Sequence, residues 1–447
     1  MTAAKDLTTG SILKKLWIYF LPIAAGTWFQ QLYNAVDAVI VGKFVGTQAL
    51  AAVGGSAANI INVLIGFFVA LSAGAGVVIA QLCGAKSEKE LEEATGTSLV
   101  FSFLCGLVIT VLFTLLAEDM LVFLKAPQDT LQDAALYLRI YFAGSAVVLL
   151  TNMESCILRA AGDSRSPFIY MLLSCVLNIA LDLYFVIQLR LGVAGVALAT
   201  IASQAFNFLL ATVRLMRVKE AYRLRLSALR INRPLLRRMM SIGIPSGLQS
   251  SMYGISNVIL QVAVNVLGTV VVASWSLSGK LDGFYWATCN AAGIAVTNFI
   301  GQNYGAGKHE RVLESVRVSF KLFMGITVLM SSVILLFGHR ALGIFTSDPD
   351  VISTTWFVVC MFVPFYFIWT GIELLTGILR GVGDAVVPTV VTGLGICLFR
   401  IVWVLTVFIN IPTLTMVCLC YPVSWVVTLI PLWIYYRRGT WLHAADK

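Results

Sequence analysis

The sequence predicts an all-α polytopic membrane protein of twelve transmembrane helices arranged in two pseudo-symmetric six-helix lobes. Three observations carry this. Of 447 residues, 59% are hydrophobic and 12% charged, and the mean hydropathy is +0.89, far from a soluble domain. Apolar stretches suited to a hydrocarbon layer roughly 30 Å thick begin near residues 16, 49, 94, 131, 166, 193, 238, 270, 314, 351, 386 and 412. Finally, the two halves repeat. ILRAAGDSRSP (Ile157 to Pro167) returns as ILRGVGDAVVP (Ile378 to Pro388), 221 residues later, and IAQLCGA (Ile79 to Ala85) returns as IGQNYGA (Ile300 to Ala306) at the same offset. Pro22 lies within two residues of register with Pro245. Six is even, so both halves start from the same side of the membrane as parallel repeats, with a cavity expected between them. Residues 1–212 are expected to form the N-terminal lobe, 213–239 a basic cytoplasmic linker and 240–447 the C-terminal lobe.

Span one, Leu16 to Val41, has no small-residue cleavage site and is read as retained rather than as a signal peptide. It carries Asp37, whose insertion costs about 2.5 to 3.5 kcal/mol, so it must face protein or water. Tyr33, four residues earlier, shares a helix face with Asp37; Pro22 is the expected hinge, and Gln30, Gln31 and Asn34 add polarity. Glu154, near the inner end of span four, is read as an interfacial carboxylate near Arg159. Span five holds a second acid, Asp182, with Asn178 one turn before it. Asp37 and Asp182 stand at similar distances from Lys43 and Arg190, which places both in the outer half of the bilayer. Span six adds Thr200, Ser203, Gln204 and Asn207 on one side. At the repeat offset the acids meet apolar residues near Leu260 and Trp403, so the pair belongs to one lobe only. Span seven instead shows Gln249, Tyr253, Asn257, Gln261 and Asn265 every four residues, a stripe that drifts about 40° per step and suits a wet cavity. Lys280, Asp282, Glu373 and Arg400 are the other intramembrane charges, and Arg400 is expected to pair with Asp282 or Glu373. Trp425, Trp433, Tyr435, Tyr436 and Trp441 read as an interfacial belt anchored by Arg437 and Arg438.

The formal charge of +9 reports topology rather than nucleic-acid binding. Arg214, Arg217, Lys219, Arg223, Arg225, Arg230, Arg233, Arg237 and Arg238 crowd the central connection; Lys5, Lys14 and Lys15 precede span one, and Lys308, Arg311, Arg317, Arg437 and Arg438 share their side. Lys43, Lys125, Arg139, Arg190 and Arg340 fall opposite. By the positive-inside rule both termini are cytoplasmic. The nine cysteines lack CxxC spacing, and the only histidines, His309, His339 and His443, are dispersed, so no metal site is expected beyond one for Na+. GQNYGAGKH (Gly301 to His309) fails as a phosphate loop. No ATP-binding or hydrolase motif is present, which leaves an ion gradient as the energy source and no cofactor. Protonating a buried carboxylate, or neutralising it with Na+, removes the cost of its desolvated charge.

LYNAVDAVIVGKFVG in span one, AQLCGAK after span two, the paired LRAAGD and LRGVGD motifs and NIALD in span five resemble the multidrug and toxic compound extrusion (MATE) transporters over nearly the whole chain. The resemblance implies a V-shaped pair of lobes working by alternating access, exporting organic cations or other amphiphiles in exchange for H+ or Na+. The cation site of the DinF-like branch matches Asp37, Asn178, Asp182 and Thr200, with Tyr33 beside them. The NorM-like branch has a span-seven glutamate where this chain has Tyr253, so the DinF-like reading is preferred. The expectation is therefore a monomeric, multi-pass antiporter of the cytoplasmic (inner) membrane, not an enzyme, in which those five residues bind the coupling cation. Gln204, Asn207, Gln249, Tyr253, Asn257, Gln261, Lys280, Asp282, Glu373 and Arg400 are the candidate cavity-lining residues. The alternative is a flippase for a lipid-linked saccharide, which calls for a larger basic cavity than Lys280 and Arg400 supply. An intramembrane aspartyl dyad is the remote enzymatic alternative.

Overall fold

The computed structural model describes residues 6–124, 126–439 and 441–442, with only the backbone of Ser56. Lys5, Lys125 and His443 lie outside these. The described chain is all-helical. Eight helices in it are long and apolar enough to cross a membrane: Thr47–Ala85 (α2), Glu88–Phe123 (α3), Arg165–Gln188 (α5), Gly192–Arg217 (α6), His309–Leu342 (α9), Pro349–Val382 (α10), Val386–Phe408 (α11) and Leu414–Arg437 (α12). A ninth span, α4, is the pair Leu131–Ala143 and Ser145–Ala160, bent by 53°. Three more helices, Ile12–Ile40 (α1), Arg233–Val266 (α7) and Thr269–Gly305 (α8), have the length but too many polar residues to qualify on composition. These complete the twelve, and they carry Asp37, the Gln249 to Asn265 stripe, and Asp282.

Two compact units divide the chain at unexpected points. One comprises Leu21–Gly247; the other joins Leu7–Phe20 to the residues from Leu248 onward. Both divisions fall inside helices, next to Pro22 in α1 and Pro245 in α7. A proline removes one backbone hydrogen bond and weakens the helix there. The leading half of α1 therefore packs with the second repeat, and the leading half of α7 with the first.

In the first unit α4 is central, packing against α2, α3 and α6. Ile109 and Leu121 of α3 meet Leu138 and Phe142 of α4 and Val196 of α6 in one buried cluster. The leading half of α7 lies so close to α2 that a Cβ on Gly74 would collide with Met239 O and with the Gly243 backbone, and one on Gly243 would meet Leu71 O. The connection before α7 docks on α3: Thr97 donates to Arg230 O at 3.1 Å and accepts from Asn232 N at 3.0 Å, while Arg225 and Arg230 pair with Glu92 and Glu93. In the second unit α8 packs against α9 and α10, and α10 against α12. The leading segment of α1 is held there by Asn298, which donates to the Tyr19 hydroxyl at 3.0 Å, and by an edge-to-face contact of Phe20 with Phe323.

The repeated motifs do the same work in each unit. Gly162 and Gly383 take left-handed backbone angles (φ 88° and 102°) that end α4 and α10, as glycine permits. The aspartate after each caps the next helix: Asp163 accepts from Ser166 N at 3.0 Å and Asp384 from Val387 N at 3.3 Å. The glutamines of IAQLCGA and IGQNYGA hold the exchanged half-helices, Gln81 accepting from Arg238 of α7 and Gln302 from Leu7 N before α1.

Two expectations need correction here. Glu154 is buried, not interfacial: it is 1% exposed and accepts the Thr212 hydroxyl at 2.6 Å, with Oε2 unpartnered. The α4–α6 packing covers it. Of the expected aromatic belt, Trp433 is exposed with Arg437 over its ring at 5.1 Å, but Trp425 and Trp441 are fully buried. Other rings of the second unit, Tyr366 and Trp369 among them, surround Trp425.

Candidate functional site

Helix α1 delivers Tyr33 and Asp37, α5 delivers Asn178 and Asp182, and α6 delivers Thr200, all within the first unit. The carboxyls of Asp37 and Asp182 lie close enough to interact with each other. Carboxylate oxygens only accept hydrogen bonds, so this proximity is favourable only when a proton or another cation lies between them. Asp182 and Asn178 are almost completely buried, and neither oxygen of Asp182, nor Asn178 Oδ1 or Nδ2, nor Asp37 Oδ1 has a partner among the described residues. So many orphaned buried polar atoms at one spot call for a proton, an ion or ordered water to satisfy them. The Tyr33 hydroxyl lies toward Thr200 and within electrostatic reach of both acids. Tyr137 of α4, with no signal in its sequence context, lies within electrostatic reach of both acids.

The helices loosen at this place, as they also do at Val53–Ala57, Gly393–Leu398 and Val404–Phe408. Beyond Asp37, α1 loosens into a π-helical turn, Val41–Val45, and beyond Asp182 α5 does so at Tyr184–Gln188. The two turns touch. Such turns are rare and concentrate at functional sites. Arg190 and Val186 line a cavity of about 420 Å³ against Phe44 at this end.

On α6 the side chains divide. Thr200 and Ser203 turn their hydroxyls back to the helix, to Val196 O and Thr200 O. Asn207 is buried with Oδ1 unpartnered, while Gln204 is half-buried and its carbonyl accepts from Thr151.

The second unit holds a separate cavity of about 480 Å³. It gathers Tyr253, Asn257 and Gln261 of the α7 stripe with Asp282 and Arg400. Trp275, Trp286, Phe362, Trp369 and Tyr421 supply aromatic walls that sequence reasoning did not assign. The stripe drifts around its helix as expected: Gln249 points away from the cavity, donating to Thr392 at 2.6 Å and accepting from Arg380, and Asn265 is exposed beside Gln261. Glu373 also lies elsewhere, against Gly293 and within electrostatic reach of Arg380. Lys280 is exposed, its ammonium 5.9 Å from the Phe345 ring. The expected ion pair is absent among the described residues. Arg400 stacks on Tyr421 at 4.0 Å and donates to Ser424 at 3.2 Å, because α12 puts a ring face and a hydroxyl nearer to it than any acid, while Asp282 lies nearer the Tyr366 phenol.

Twelve long helices with a buried ionisable site in one repeat and an aromatic cavity in the other are the architecture of a membrane transporter. The family profile described as MatE matches residues 22–185 and 245–406, and the chain belongs to that family. It is 26% identical over 436 residues to the probable multidrug resistance protein YoeA of Bacillus subtilis (strain 168), covering 96% of this chain and 94% of that protein. It is 25% identical to the multidrug export protein MepA of Staphylococcus haemolyticus (strain JCSC1435), covering 84% and 82%. In fold it is similar to a MOP superfamily transporter from Pyrococcus furiosus Vc1 described as having a binding pocket of reverse polarity (TM-score 0.90, 21% identity, 100% of both chains). It is likewise similar to an outward-facing multidrug resistance MATE transporter (TM-score 0.87, 22% identity, 100% of both chains).

Proposed function

We propose that this chain exports organic cations or other amphiphiles by exchanging them for H+ or Na+, with Asp37 and Asp182 as the coupling site. The observation that carries the reading is the proximity of two carboxyls amid orphaned buried polar atoms. Empty, the site holds like charges in a poorly solvated place. A proton or Na+ relieves the repulsion and gives the unpartnered oxygens something to bind. Tyr33, Asn178 and Thr200 orient or ligate it. The site is therefore stable in two states, and a membrane potential worth about 2.3 kcal/mol per charge per 100 mV is enough to bias two conformers a few kcal/mol apart. Pro22 is the proposed hinge through which loading the site moves α1 and releases substrate outward. The protein acts as a monomer in the cytoplasmic membrane with both termini cytoplasmic.

Efflux of a fluorescent cation from expressing cells tests the coupling site. Asp37→Asn and Asp182→Asn should each lower the rate at least about tenfold, and wild-type rates in both variants, at equal surface expression, would overturn the proposal. Counterflow in proteoliposomes with a pH or Na+ gradient imposed singly identifies the ion, and transport driven by neither rules out antiport.

A further inference from the structure

We propose that the cavity of the second unit binds an aromatic amino-carboxylate, with the carboxylate on Arg400, the ring between the tryptophans and Tyr421, and the amine toward Asp282. Arg400 is 4% exposed and lines the cavity, yet no acid lies within 4 Å of it among the described residues. Two neutral groups hold it, the Tyr421 ring face and the Ser424 hydroxyl, and the latter uses only Nε–H. The Nη groups have no protein partner and are not sealed off, unlike the unpartnered buried Nε atoms of Arg214, Arg311 and Arg380. A nearly buried guanidinium without a counter-charge is costly. Its planar fork, fixed by stacking, is shaped for the two oxygens of one carboxylate.

The rest of the cavity extends the match. Trp275, Trp286, Trp369, Phe362 and Tyr421 line it with aromatic surface, which suits a planar ring better than an aliphatic chain. Asp282, also 4% exposed, lies near the Tyr366 phenol, and its Oδ1 has no partner among the described residues. Its charge is not spent on Arg400, so the cavity offers one anionic and one cationic end. Asn257 and Gln261 give neutral hydrogen-bonding groups along the side. At about 480 Å³ the space suits a one- or two-ring compound. A single guanidinium calls for a singly charged acid rather than a phosphate ester, which would require further cations. This goes beyond the coupling reading, since it concerns ligand chemistry in the other repeat.

The test is binding to purified full-length protein in detergent, read by quenching of tryptophan fluorescence, because three tryptophans wall the cavity. The probes share one ring system: 6-(aminomethyl)-2-naphthoate, 2-naphthoate and 2-naphthylmethylamine. The amino-carboxylate should bind about tenfold or more tightly than the amine, as a charge-assisted bidentate contact implies. Arg400→Gln should erase that preference, and Asp282→Asn should remove only the advantage of the amino-carboxylate over naphthoate. The two readings fail separately: the coupling reading is tested by efflux from the Asp37 and Asp182 variants, and this one by ligand binding to the Arg400 and Asp282 variants. An amine that binds as tightly as either carboxylate overturns the proposal from the wild-type protein alone, even if the Arg400 variant does not fold. A folded Arg400→Gln protein with wild-type affinities overturns it as well.

Discussion

At the scale of single residues, burial separates the ionisable groups that stabilise the fold from those poised to exchange a ligand. Asp163 and Asp384 are fully engaged in caps, and Asp384 also accepts the Tyr435 hydroxyl at 2.7 Å. Asp37, Asp182 and Glu154 retain unpartnered oxygens. Glu154→Gln should preserve an acceptor for Thr212 and cost under about 1 kcal/mol, whereas Glu154→Ala should cost about 2 to 4 kcal/mol through an orphaned hydroxyl and a cavity. Thermal unfolding in detergent measures both; equal midpoints would show that the Thr212 contact contributes nothing. Asp37 and Asp182 were legible in the sequence because a carboxylate inside an apolar run announces itself. Tyr137 was not, since a tyrosine in an amphipathic helix carries no mark of its neighbours. The partner of Arg400 was misjudged for a related reason. Spacing shows that a buried cation needs company but not which ring or hydroxyl another helix brings.

Among helices, close approach decides what is tolerated. Gly74→Leu should destabilise the protein by about 1 to 3 kcal/mol or prevent its folding, because backbone of α7 occupies the space. Gly283→Ala, where a Cβ meets nothing within 4 Å, should be neutral. Thermal midpoints decide, and a Gly74→Leu protein as stable as wild type contradicts the packing described. Pro22→Ala should restore a backbone bond and stiffen α1, so efflux should slow several-fold with little change in apparent substrate affinity. Unchanged turnover would remove Pro22 from the mechanism. Hydropathy locates the helices well where they are uniformly apolar. It does worst on α1, α7 and α8, where polar side chains dilute the signal, and it cannot foresee the π-helical turns, which arise from tertiary packing.

For the whole molecule, the duplicated motifs exposed the architecture, while the exchange of half-helices lay outside what any repeat can show. The repeat aligns residues but does not say which copy each half of α1 or α7 packs on. The positive-inside distribution remains to be tested: fluorescent protein fused to the C-terminus should glow and alkaline phosphatase fused there should stay inactive, and the reverse pattern would invert the topology.

The crossed packing of Leu7–Phe20 and Arg233–Gly247 bears on biogenesis. The first repeat cannot finish assembling when its own six spans have left the ribosome, because the wall covering Phe67, Leu71 and Gly74 is translated later. The opening segment of the chain waits longer still, for Asn298 and Gln302. Neither half should mature when expressed alone, and the nascent protein must be kept from proteolysis until its final third is inserted.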